Sequence, residues 1–421
     1  MAILTNAKQR CSIHGAAAGP VRIMDLINLA ASAKEMLLDR ARRLHRPPDV
    51  ENWIVCAPPD PADLRGDGTR HVEMLRRSGV PLALIKTPLG LRPGGLARYL
   101  LDLVGLFRRV RPHIVHTHCS IPGLAGRMAA RLAGVPIVLH TVHGFHFHAG
   151  STRLHWAVFS CVERSLAALT DVVLTQNQDD LNVIRAWRWP AVATRVIGNG
   201  IDVDRYARFA RRHSGEGRVV LCIGRFDPVK NQADLLRVFA RVHTACPEAR
   251  LRLIGDGLRR AECEQLARDL GIASVTDFLG YRDDVDALLS DVDVAALLSW
   301  KEGMSKALLE PMAAGIPAVT WNVKGNNELV ASGRTGIVAT AGDLDGTAAQ
   351  IIRLLREPDL RRRLGAAAAA EVHRRFDQEA YVDRIREVYV SSLETAGYVP
   401  PPALSGARQV RPGEHGALAS A

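Results

Sequence analysis

Short apolar runs alternate with amphipathic segments along most of the chain. Val21–Ala30, Asn52–Ala57, Pro81–Thr87, His113–His118, Pro136–Val142 and Asp171–Thr175 read as strands, each bounded by proline, glycine or charged residues. Between them lie segments with helical spacing, near Ser32–Leu44, His71–Ser78, Leu96–Arg109, Leu124–Leu132 and Thr152–Leu169. In Leu96–Arg109, Leu100, Leu103, Val104 and Phe107 share one face. The alternation then restarts: strands at Arg218–Ile223, Arg250–Ile254 and Val275–Leu279, helices at Gln232–Thr244 and Leu258–Leu270. Strand followed by helix, repeated, predicts an α/β fold with parallel sheets. The restart predicts two doubly wound, Rossmann-like domains, over residues 21–205 and 206–378, with the linker in the arginine-rich stretch near Arg205–Arg218. Residues 379–396 read as a C-terminal helix; residues 1–20 and 397–421 read as disordered by composition.

The most informative stretch follows the apolar run Val292–Leu298, which predicts a buried strand. Glu302 and Gly303 fall in a turn at its carboxyl end, and Ser305–Ala314 reads as a short helix closed by Gly315 and Pro317. Ala318–Trp321 is the next strand. Ligands of doubly wound sheets bind at carboxyl ends of strands, and the free N–H groups of a helix start attract anions. Gly303, Met304 and Ser305 open such a start, and Glu310 lies two turns on. A second loop of this kind is Gly224–Asn231, where Arg225 and Lys230 could both reach a diphosphate, although two solvated surface cations would look the same. Gly255-Asp256-Gly257 also follows a strand and is weak evidence of anything but a turn.

Composition narrows the partners. With 421 residues, each domain can bury a core, and the net charge of +11 suits anionic ligands such as sugar nucleotides or an anionic membrane surface. No dense Lys/Arg run is interleaved with aromatics, so nucleic acid is not expected. The seven cysteines are scattered with no Cys-x-x-Cys pair, which fits reduced thiols in a cytoplasmic protein. No apolar segment reaches the roughly 18 to 20 residues that span a bilayer.

Glu302 and Glu310, separated by seven residues and followed by Pro311-Met312-Ala313-Ala314-Gly315-Ile316-Pro317, resemble the signature of the family 4 retaining glycosyltransferases, which have the GT-B fold. The resemblance runs from about Val21 to about Tyr389 and implies a UDP-sugar donor, with a hexose or N-acetylhexosamine, N-acetylglucosamine first, transferred to a lipid-linked saccharide or a small glycosylated natural product. It implies that Glu302 lies near the donor sugar, that Glu310 holds the ribose, and that Arg225 and Lys230 neutralise the diphosphate. Backbone beside Tyr281 and Arg282 would pair with the base. Thr141-Val142-His143-Gly144-Phe145 matches polysaccharide-extending members and places His143 beside the reacting centre, with His116 and His118 as acceptor-side candidates. The family's glycine-rich loop after the first strand is replaced here by Asn28-Leu29-Ala30-Ala31-Ser32-Ala33-Lys34. A GT-B epimerase or hydrolase of UDP-sugars, or a non-catalytic sugar-nucleotide sensor, is the alternative. The histidines at 116, 118, 140, 143, 146 and 148 raise a metal-site reading. Against it, no acidic residue lies between His113 and Ala149, and the resemblance implies cationic side chains and a helix start in place of a metal cofactor.

Overall fold

The computed structural model describes residues 19–59, 68–88, 93–145, 153–187, 192–209 and 218–405. The expected features at the extreme N-terminus, in the linker at 210–217, at His146 and His148, and beyond residue 405 lie outside them. The described residues form two parallel sheets. The first runs β3-β2-β1-β4-β5-β6-β7, with β1 Val21–Leu26, β2 Val50–Cys56, β3 Leu82–Leu84, β4 Ile114–His118, β5 Ile137–Val142, β6 Val172–Thr175 and β7 Ala193–Val196. The second runs β10-β9-β8-β11-β12-β13, with β8 Val219–Ile223, β9 Arg250–Ile254, β10 Thr276–Phe278, β11 Val294–Leu297, β12 Ala318–Trp321 and β13 Gly336–Ala339. The strand order reverses between β1 and β4 and again between β8 and β11, and each reversal opens a crevice at the strands' carboxyl ends.

The strands bury both faces, as parallel strands covered by helices must: β4, β5, β6, β11 and β12 are buried at every position. Sequence reading overextends the first strand to Ala30. It ends at Leu26, and the helix Ala30–Met36 begins where the small residues Ala30, Ala31 and Ala33 allow close packing under the sheet. The expected single helix over Ser32–Leu44 is two, broken at Leu37. Strand β13 escapes the pattern because it is short and sits among Ser332, Gly333 and Thr335.

The helix Gln378–Thr395 crosses to the first sheet, where Tyr381, Val382, Ile385, Val388, Tyr389 and Leu393 pack against Ile23, Ile114, Leu139 and Leu174. The tail departs from the compositional expectation of disorder from Gly397. Residues 402–405 form a helical turn, and Leu404 is buried in that same core, burial that outweighs the surrounding prolines. Among the described residues no helix is long and apolar enough to cross a membrane, and the six described cysteines are free.

Candidate active site

The crevice of the second sheet is built by two loops. In the first, Asp227 accepts the backbone N–H groups of Val229 and Lys230 at 3.0 and 2.9 Å, so its carboxylate folds the turn. The Arg225 guanidinium, half exposed, lies on that same carboxylate, Nε at 2.7 Å. The second loop follows β11 and is tied to the first by the Trp300 N–H on the Val229 carbonyl at 2.9 Å. Lys230 Nζ donates to Glu302 Oε1 at 2.6 Å, and Glu302 is only 8% exposed. Gly303, Met304 and Ser305 then lead into the helix Lys306–Ala313, whose first turn holds no acidic residue. The Ser305 hydroxyl is buried with no hydrogen-bond partner among the described residues, so the helix start keeps an orphan polar group there.

Glu310 sits on this helix against Tyr206, and burial pushes its carboxyl up to about 7, with Lys306 opposing the shift. Its folded pKa therefore lies above the unfolded one. Relative stability from this group is full below the unfolded pKa and is lost as pH rises toward about 7. Glu310→Gln is thus expected to stabilise the unliganded protein more at pH 8 than at pH 5, while weakening nucleotide binding. Thermal melts at the two pH values check it; an equal gain at both would place an ordinary exposed carboxylate here.

Arg282 is not brought into this crevice by its side chain, which is exposed and pairs with Asp284 at 2.7 and 2.5 Å. Its neighbour Tyr281 turns the other way, with its hydroxyl 2.9 Å from His71 Nε2, 3.3 Å from Lys34 Nζ and 3.1 Å from Asp283. This loop touches the first domain rather than offering side chains to a ligand.

In the first domain, the ends of β4 and β5 carry the histidines. His116 and His118 are 0% and 1% exposed, so they back the crevice and cannot line it for an acceptor. His116 bonds the Tyr389 hydroxyl at 2.8 Å and the Thr141 hydroxyl at 2.6 Å. His118 joins Asp25 at 3.2 Å and His143 Nε2 at 3.0 Å. His140 bonds Thr117 at 2.9 Å within the sheet. Burial holds the pKa of all four rings below the usual histidine value. Asp25 arrives from β1, far outside the histidine window, so the acidic residue thought missing is present. Burial alone would push its carboxyl up, but Arg40, with His118 and His116, outweighs this and holds it below the usual range. Asp25, His116 and His118 bring their ligand atoms as close as a metal site requires. The Arg40 guanidinium, itself fully buried, already lies on the carboxylate.

The two crevices meet at Gly303. A Cβ on Gly303 would stand 2.5 Å from the His143 carbonyl oxygen and 3.0 Å from Gln176 Oε1; one on Gly325, whose φ is +85°, would stand 2.3 Å from the Gly303 oxygen. Only glycine permits this crossing. Around it, Asn177 Nδ2 donates to the Gly303 carbonyl at 2.9 Å, and Lys306 Nζ donates to the Glu35 carbonyl at 2.7 Å. Glu328 accepts the Gln178 and Asp179 N–H groups, both at 2.8 Å, which cap the first-domain helix Gln178–Ala186. Lys34 and Arg70 both pair with Asp283. The domains thus close on each other with Glu302 and His143 brought to one junction. Sequence reading gave no role to Asp25, Arg40, Asn177, Lys306 or Glu328. A lone acid inside the apolar run Val21–Ala30 was the available signal for Asp25, and Asn177 stands in Gln176-Asn177-Gln178-Asp179-Asp180, a stretch that also matches the family.

The chain matches the family model described as Glycosyl transferases group 1 over residues 204–371, and that described as Glycosyltransferase Family 4 over residues 35–205. It is 30% identical over 291 residues to N-acetyl-alpha-D-glucosaminyl L-malate synthase of Bacillus anthracis, covering 66% of this chain and 75% of that protein. It is 28% identical over 314 residues to the UDP-Gal:alpha-D-GlcNAc-diphosphoundecaprenol alpha-1,3-galactosyltransferase of Escherichia coli, covering 70% and 79%. Among solved structures, Anabaena HepE in complex with UDP and glucose superposes with a TM-score of 0.73 at 21% identity, covering 88% of this chain and all of that one. The fold is GT-B.

Proposed function

The chain belongs to the family 4 glycosyltransferases, and we propose that it transfers a hexose or N-acetylhexosamine, with retention, from a UDP-sugar to a lipid-linked saccharide. The observation that carries this reading is the Lys230–Glu302 contact at 2.6 Å, set directly before the Gly303–Ser305 helix start. A cation, an acid and free N–H groups converge there at the domain junction. The diphosphate would leave against Lys230, Arg225 and the helix start, whose fixed charges act where negative charge develops. Arg225 would exchange Asp227 for phosphate, and Glu310 would hold the ribose. Glu302 and the His143 ring would flank the sugar from opposite domains. Closure around Gly303 would exclude the water that otherwise hydrolyses the donor.

The name of the Escherichia coli enzyme compared above supports a UDP-sugar and a lipid diphosphate acceptor, and that of the Bacillus anthracis enzyme supports an N-acetylglucosaminyl group joined to a small molecule. Leu154, Val158 and Val162 share an exposed face of the helix Arg153–Ala167, which suits an acceptor held at a lipid surface on the cytoplasmic side. The test is transfer of radiolabelled sugar from UDP-N-acetylglucosamine, UDP-glucose and UDP-galactose to lipid-linked saccharide in vesicles, with donor-only controls. Sugar-dependent labelling of the lipid is expected. Free sugar and UDP without an acceptor would instead make it a hydrolase or epimerase.

No step in this reading uses a divalent ion. Transfer is therefore expected to survive dialysis against EDTA with metal content measured on the same sample. Activity lost to EDTA and restored by manganese, magnesium or zinc would contradict the charge-stabilising role given to Lys230 and Arg225.

A further inference from the structure

The start of one first-domain helix is hydrogen-bonded to the second domain beside Glu302. The helix Gln178–Ala186 begins at Asn177, whose Oδ1 accepts the Asp180 N–H at 2.7 Å. That bond leaves Asn177 Nδ2 to donate. Its two hydrogens go to Asp180 Oδ2 and, across the junction, to the Gly303 carbonyl, both at 2.9 Å. The N–H groups of Gln178 and Asp179 remain, and no carbonyl of their own helix can reach them. Glu328 takes one with each carboxylate oxygen, Oε2 on Gln178 and Oε1 on Asp179, both at 2.8 Å. A third contact sets the Lys324 ammonium on the buried Asp180 carboxylate.

The second-domain partners come from one short stretch. Gly325 crosses the Gly303 carbonyl so closely that a Cβ on it would clash with that oxygen. The helical turn Asn326–Leu329 follows. It is fixed in its own domain by Leu329 in the core and by the buried Asn326, which donates to the Thr320 hydroxyl at 2.7 Å. Glu328 is half-buried on this turn, and among the described residues its carboxylate hydrogen-bonds only the first domain. Its removal therefore breaks no hydrogen bond within the second domain. Burial, opposed by the two N–H groups, pushes its carboxyl above the ordinary value, and the charges of Asp179 and Asp180 add to the push. The charge is better solvated with the domains apart, so the contact can release.

We propose that Glu328 is a releasable latch between the domains: seated on the first turn of Gln178–Ala186, it sets the Glu302–Gly303 turn against His143, and it lets go when the domains part. Glu328 is a positioning residue in this scheme and acts through Gly303. The scheme rests on the reading above that sugar is transferred at this junction, but its first test needs no transfer assay.

That test is amide hydrogen exchange on the full chain, read at Gln178 and Asp179. In Glu328→Gln one acceptor oxygen becomes an NH2 group, which cannot accept. Exchange at the two amides is expected to run roughly tenfold or more faster in this variant than in the wild type. Equal exchange in the two proteins overturns the latch. Transfer turnover is expected to fall by roughly tenfold or more, with UDP affinity unchanged. Normal turnover overturns the positioning role, and a matching loss of UDP affinity would place Glu328 in the donor site instead.

Gln178→Pro approaches the same contact from the first domain. Proline suits the first helical position, and Asn177 before it is extended, with φ −139° and ψ 162°, as a residue preceding proline must be. The substitution removes one N–H and sets a ring carbon in the place of the carboxylate. It is expected to lower turnover as Glu328→Gln does, and to add almost nothing in a Glu328→Ala background; a full further loss there would overturn the latch. If Glu328→Gln does not fold, Gln178→Pro carries the test alone, with faster exchange at Asp179 and lower turnover at unchanged UDP affinity. Absence of transfer in the wild type would sink the reading above, and the exchange result would still decide the latch.

Discussion

Lys230→Ala is expected to cut turnover by roughly 100- to 1000-fold, the scale of removing one fixed group that stabilises developing negative charge. Lys230 Nζ stands 2.6 Å from Glu302 Oε1, and Glu302 is nearly buried. The variant therefore suffers twice. It loses the cation that would meet the departing diphosphate, and it leaves Glu302 with an uncompensated charge. Single-turnover transfer checks it, with circular dichroism to show that the fold is kept. Lys230→Arg, which keeps the charge on a different geometry, is expected to fall between the two. Turnover within a few-fold of wild type in Lys230→Ala would reduce this loop to a solvated surface.

Gly303→Ala is expected to lower turnover by about 100-fold, the cost of misplacing a reacting group by about 1 Å. The added Cβ would meet the His143 carbonyl at 2.5 Å and Gln176 Oε1 at 3.0 Å, both in the opposite domain. The backbone at Gly303 is not left-handed, so alanine strains nothing within the second domain. UDP affinity should hold while closure fails. Paired calorimetry and turnover separate these effects. Normal turnover would show that chemistry takes place with the domains further apart than they stand here.

The legible part of this protein was the part written in short range. Strand after strand followed from apolar runs, because a parallel sheet covered on both faces needs continuous hydrophobic strands. The Ser299–Glu328 stretch placed Glu302 at a strand end and Ser305 at a helix start, and both stand there. Roles that depend on distant partners were not legible. His116 and His118 alternate along β4 and read as open candidates. Their burial is set by Tyr389 from the last helix, by Arg40, and by Asp25 in a neighbouring strand. Arg282 lies on a loop whose Tyr281 hydroxyl reaches His71 in the first domain, while its own side chain pairs with Asp284. Glu328 carries no local mark of its role, which the fold supplies by setting it on the N–H groups of a first-domain helix. Leu404 shows the same limit in reverse, a buried side chain inside a Pro/Ala-rich tail.

The most direct measurement is a calorimetric titration of UDP into the wild-type protein, Glu310→Ala and His143→Ala. If the second domain holds the nucleotide through the helix Lys306–Ala313, UDP at pH 8, above the raised Glu310 value of about 7, binds the wild type and weakens by roughly tenfold or more in Glu310→Ala, the loss of hydrogen bonds to a charged group. Affinity in His143→Ala, whose change lies in the opposite domain, stays at the wild-type value. Equal affinity in wild type and Glu310→Ala, or a matching loss in His143→Ala, would contradict the assignment of the donor site to the second domain.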